Sequence, residues 1–88
     1  MTLRVVRSDR PVGELDLDLT TFYVLSGDYV AYLCPCEKHH LIMLPIKPRD
    51  NGWEYTENDG KPTMNPSIFT HGPLCESHYF IRDGEFVW

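Results

Sequence analysis

Three cysteines and one histidine stand in two tight pairs, Cys34-Pro35-Cys36 and Cys75-Glu76-Ser77-His78, at widely separated points of the chain. Four such side chains closed around one tetrahedral ion would tie the middle of the protein to its C-terminal end. A chain of 88 residues needs such a tie. A domain of this size hides only about 60 to 65 % of the surface its unfolded chain exposes, so a metal staple offsets a small core. Thiolate and neutral imidazole are borderline-soft donors that suit zinc, and three cysteines with one histidine form a usual structural set. In Cys-x-Cys an extended backbone sends alternate side chains to one face, and Pro35 restricts the freedom lost on binding. A turn over residues 75 to 78 would do the same for the second pair. The expected site is therefore Zn2+ held by Cys34, Cys36, Cys75 and His78, with no thiol left over.

A hydrophobic fraction of 42 % with 24 % charged residues is ordinary for a folded protein and argues against disorder. One domain over residues 1–88 is expected, with no linker long enough to divide it. The three thiols cannot all pair within one chain, which favours metal over disulfides and a cytoplasmic setting. No apolar run approaches the roughly 18 residues of a membrane span, and Met1 to Arg7 lacks a signal-peptide core. The formal net charge is −5, and Lys38, Lys47, Arg49 and Lys61 are scattered among acids. Such a surface repels phosphate backbones, so nucleic acid is not an expected partner, and without an apolar run neither is a membrane. Oligomeric state is not fixed by these residues.

Most segments read as strands. Glu14 to Leu19 alternates polar and apolar, the pattern of a half-buried strand. Phe22-Tyr23-Val24-Leu25 and Tyr29 to Leu33 flank Ser26-Gly27-Asp28 and predict a hairpin that delivers its second strand into Cys34. Leu41 to Leu44 suits a short buried strand, and Trp53 to Thr56 follows the turn Asp50-Asn51-Gly52. Pro62 and Pro66 predict an edge or covering segment rather than a central strand. Tyr79 to Arg82 and Glu85 to Trp88 flank Asp83-Gly84, which predicts a tight C-terminal hairpin. The fold class is mostly β, a small antiparallel sheet stapled by zinc.

His39 and His40 lie close enough to Cys36 to replace a ligand or hold a second metal, and His71 precedes Cys75 by four residues. Their local spacing favours solvated or hydrogen-bonded loop histidines over ligands. Trp53 and Trp88 read as packing residues or as anchors for a partner.

The boxes Cys34-Pro35-Cys36, Trp53, Pro66-Ser67-Ile68 and Cys75-Glu76-Ser77-His78-Tyr79-Phe80-Ile81-Arg82-Asp83-Gly84 resemble a family of small uncharacterised bacterial and phage proteins. The likeness spans roughly residues 20 to 88. It implies a metal-binding protein with ligands at Cys34, Cys36, Cys75 and His78, in a family some of whose genes lie in mobile elements or beside ubiquitin-like conjugation genes. Relatives commonly continue the first box with glycine and another cysteine, where this chain has Glu37-Lys38-His39-His40. His39 or His40 could therefore take the missing cysteine's place.

Four protein ligands leave no open position on the ion, so the expected function is non-enzymatic: a zinc-binding module that meets a protein partner. The same donors could instead hold a two-iron cluster for electron transfer, although a Rieske centre would need a second histidine where Cys36 stands. A metal-dependent enzyme using His39, His40, His71 or Glu76 as acid or base is the third reading. It lacks a nucleophile elbow, a phosphate loop or a zinc-protease helix.

Overall fold

The computed structural model describes residues 2–71 and 75–88. Among the described residues there are eight strands, β1 (Arg4–Ser8), β2 (Thr21–Leu25), β3 (Tyr29–Leu33), β4 (Leu41–Pro45), β5 (Glu54–Asn58), β6 (Lys61–His71), β7 (Glu76–Arg82) and β8 (Glu85–Val87). They form two four-stranded sheets in the order of the chain, β1-β2-β3-β4 and β5-β6-β7-β8. Pairing is antiparallel except between β1 and β2, which run parallel. No α-helix occurs among the described residues, as the lack of helical periodicity implies.

The core lies between the sheets. Phe22, Val30, Tyr32 and Ile42 of the first sheet meet Met64, Ile68, Tyr79 and Ile81 of the second, all within one buried cluster. The Tyr32 and Tyr79 hydroxyls, 2.7 Å apart, pair across it. That pairing satisfies two phenols that would otherwise be stranded away from water. The backbone also joins the sheets, through Val5 N–H to Gly60 O at 2.9 Å and Leu3 N–H to Gly84 O at 2.7 Å.

The hairpins follow their turn residues. Gly27 and Asp28 take positive φ between β2 and β3, and Asp83 (φ 47) and Gly84 (φ 80) do so between β7 and β8. Gly84 is required for a second reason. A Cβ there would lie 2.7 Å from Leu3 O, on the backbone that docks against this turn.

Two expectations change. Residues 14 to 19 form no strand: Val12–Glu14 is a single 3₁₀ turn, and the chain then runs extended over the outer face of β2 and β3. Leu15 and Leu17 pack there against Tyr23, Leu25 and Ala31, and Tyr23 Oη donates to Asp16 O at 2.7 Å. The alternation is a burial pattern without a hydrogen-bonded ladder. It also explains why β2 and β3 read as continuous apolar runs, since both of their faces are covered.

The segment with two prolines is the second change. β6 is a central strand of eleven residues, paired with both β5 and β7. Pro62 lies near its start, where its carbonyl accepts from Gly84 N–H at 2.8 Å. Pro66 falls in an irregularity: Met64 pairs with Ile81 and Ile68 with Tyr79, so β6 carries two extra residues there. A bulge leaves a residue out of the ladder, which is where a missing N–H costs least.

Candidate functional site

The chain leaves β3 at Leu33 and turns back into β4 at Leu41 through Cys34 to His40. Cys34 N–H donates to His40 O at 2.8 Å and His39 N–H to Cys36 O at 3.1 Å. His39 takes a positive φ of 48, and its Nδ1 lies 3.1 Å from Cys34 O. This tight loop turns His40 back toward the cysteines. Cys75 approaches from the second sheet, just before β7, with its Sγ 3.8 Å from Cys34 Sγ and 2.9 Å from His40 Nε2.

The donor atoms of Cys34, Cys36, His40 and Cys75 all lie within 4.8 Å of one another. Around a tetrahedral zinc with bonds of about 2.3 Å, neighbouring sulfurs stand roughly 3.8 Å apart, the separation of Cys34 from Cys75. The four residues are positioned to bind a metal ion. With Cys34 in the core and the other three half-buried, an ion would be shielded from solvent on one side.

The thiols differ electrostatically. Burial pushes the Cys34 thiol up to about 11. Cys75 is held below its ordinary value, first by the hydrogen bond from Thr70, whose Oγ1 stands 3.5 Å away. Ser77 Oγ adds a contact at 3.8 Å. Hydroxyls turned toward a sulfur in this way also support a metal-bound thiolate.

The structure joins the three expected cysteines, and the histidine it places with them is His40. His78 lies elsewhere. β7 starts at Glu76 and is extended, so side chains alternate: Ser77, Tyr79 and Ile81 are buried while Glu76, His78 and Arg82 are exposed. Positions three apart on a strand point to opposite faces. The expected turn at 75–78 is absent, and His78 is carried away from Cys75. His71 pairs with a carboxylate instead, its Nδ1 2.9 Å from Glu76 Oε1.

On the outer face of the second sheet, His78 Nε2 lies 2.8 Å from Ser67 Oγ. Ser67 belongs to the irregular stretch of β6, and His78 is the register partner of Phe69. Ser67 and Phe69 stand two apart on β6, so the serine reaches the histidine along the diagonal of the ladder. The Phe69 ring, 59 % exposed, stands edge-on to His78 with centroids 5.8 Å apart. Trp53 Nε1 donates to Ser67 O at 3.4 Å and steadies the bulged backbone.

A hydroxyl hydrogen-bonded to a histidine ring nitrogen is the geometry in which the ring removes the hydroxyl proton during nucleophilic attack. Residues 8–88 match the family described as "Bacterial ubiquitination-like system serine protease (BubE)". The chain belongs to this family. No curated protein and no solved structure matches significantly.

The BubE description names a serine protease, in tension with the expectation of a non-enzymatic module. Sequence pattern alone marks Ser67 for no role and places His78 among the metal donors. The available signal lay in the Pro-Ser-Ile and Cys-x-Ser-His boxes, which sit on strands that pair. No helix among the described residues is long and apolar enough to cross a membrane.

Proposed function

We propose that this protein is a serine hydrolase of the bacterial ubiquitination-like system, acting on a polypeptide, and that its metal site is a structural zinc centre. The observation that carries the reading is the 2.8 Å contact between Ser67 Oγ and His78 Nε2 in a chain of the BubE family. Ser67 Oγ attacks the scissile carbonyl while His78 Nε2 takes the hydroxyl proton. The same nitrogen returns that proton to the leaving amine, and water then releases the acyl group and restores Ser67.

Zinc, when bound, supplies a closed Lewis-acid centre with no free position, so its part is to hold the fold together. Cys34, Cys36 and His40 fix the β3–β4 loop, and Cys75 fixes the entry to β7, the strand that carries His78. A single ion suits the donors better than a two-iron cluster, because a cluster separates its two ligand pairs by an extra metal–metal spacing and these four atoms lie within 4.8 Å.

The test is labelling with a fluorophosphonate, located by peptide mapping. Covalent modification of Ser67, lost in Ser67→Ala and reduced at least about 100-fold in His78→Ala, is the expected result. A folded, metal-loaded protein that takes no label would return the chain to the class of non-enzymatic binding modules.

A further inference from the structure

Beside Ser67 the two sheets part along β4 and β6, leaving an open groove of about 390 Å³. Leu41, Met43, Leu44, Trp53 and Phe69 line it, and the metal-site donors His40 and Cys75 border it as well. Leu41 and Met43 are each more than 40 % exposed. Trp53 and Phe69 both touch the Ser67–His78 pair, Trp53 through Ser67 O and Phe69 through the His78 ring. The groove thus adjoins the reactive pair through these two side chains.

One wall of the groove is strand backbone that has no partner among the described residues. β4 is an edge strand among the described residues. Cys34 N–H to His40 O and Ile46 N–H to Asp28 O bracket its pairing with β3. Antiparallel ladders alternate, so Ile42 and Leu44 are the residues that bond to β3, while Leu41, Met43 and Pro45 turn their polar groups outward. Pro45 O confirms the phase by accepting from Trp53 N–H at 3.0 Å. Among the described residues, no backbone partner meets the outward N–H and C=O groups of Leu41 and Met43.

We infer that the groove is the substrate channel of the Ser67–His78 pair, and that its occupant is an extended polypeptide segment that adds to the free edge of β4 and seats an apolar side chain against Leu44, Trp53 and Phe69. The inference rests on the hydrolase reading. A polypeptide is selected over a lipid or a small ester because, of the three, it alone can replace water on the outward groups of Leu41 and Met43 with a ladder in register. The apolar walls set which side chain is accepted, and the backbone pairing sets the direction of the chain past Ser67.

The experiment is digestion of a mixed library of 14-residue peptides by the full-length, metal-loaded chain, with the products sequenced by mass spectrometry. Cleavages should share leucine, isoleucine, methionine or phenylalanine at one fixed distance from the scissile bond. Met43→Glu should lower cleavage of those peptides at least tenfold while Ser67 still takes the fluorophosphonate. On the best substrate, N-methylation of successive backbone amides should slow cleavage at every second position only. Cleavage without a fixed apolar position, a Met43→Glu profile like the parent's, or an N-methyl scan without the two-residue period would each overturn the groove and leave the hydrolase intact. Labelling of Ser67 without cleavage of any peptide would overturn the polypeptide substrate, and failure of labelling would remove the hydrolase reading itself.

Discussion

Cys75 and His78 stand three residues apart and meet different partners: Cys75 Sγ lies 3.8 Å from Cys34 Sγ, whereas His78 Nε2 lies 2.8 Å from Ser67 Oγ. The strand that begins at Glu76 separates them by sending their side chains to opposite faces. One short box therefore feeds two sites. Cys75 closes the donor set between the sheets, and His78 reaches the serine on the outer face.

That division makes the two histidines distinguishable by metal content. Protein carrying His78→Ala should retain one zinc per chain. His40→Ala should weaken binding by at least about 100-fold, since even loss of a group supporting a ligand costs 10- to 100-fold. Competition against a chromophoric chelator measures both. Equal loss in the two variants would refute the assignment of His40.

Removing the metal should unfold the protein. Structural zinc supplies on the order of 10 kcal/mol in small domains, comparable with the whole stability of such a fold. Thermal melting followed by circular dichroism should lose its cooperative transition in excess chelator, and fluorophosphonate labelling should vanish with it. A transition that survives unchanged would show that the sheets stand without the staple.

The core tyrosines give a test of the sandwich. Burial pushes both phenols well above their ordinary range, so the pair stays neutral and hydrogen-bonded. Tyr32→Phe or Tyr79→Phe leaves one buried hydroxyl alone and should cost about 1 to 3 kcal/mol. The double variant should cost no more than the worse single one. Additive losses in urea melts would mean that the two hydroxyls do not depend on each other.

Acid should weaken the start of β2. Asp18 accepts from Thr20 N–H at 2.8 Å, Thr20 Oγ1 at 2.9 Å and Thr21 Oγ1 at 2.8 Å. These bonds, the Thr20 backbone donor first, hold its carboxyl below the ordinary value. A carboxyl whose folded value is depressed contributes stability above its unfolded value, near pH 4, and loses it as the pH falls through the folded value. Glu57 is depressed in the same direction by its bond from Arg7. Asp18→Asn should therefore flatten the fall in stability between about pH 5 and pH 2, measured by urea titration. An acid limb identical to the parent's would exclude the contribution.

Local signals carried much of the architecture. The Asp83-Gly84 turn, the β2–β3 hairpin and the mostly β class follow from turn chemistry and strand-forming residues, because those preferences act over a few positions. Three of the four clustered donors were equally legible, since Cys-x-Cys and a distant cysteine have few other uses in a chain with an odd number of thiols. Pairing between strands was not legible. Whether Pro66 ends a strand or sits in a bulge depends on β7, and whether Leu15 and Leu17 join a ladder or lie over one depends on the covered face of β2 and β3.

Residue pattern alone is enough to specify a small β protein with three cysteines placed to gather at one point. Tertiary structure decided which histidine joins them and which meets the serine. The reason is that a strand fixes the face of a side chain by counting from its first residue, and that first residue is set by the neighbouring strand. His40 is turned inward by the loop that Cys34 N–H closes, and His78 is turned outward by the register of β7 on β6.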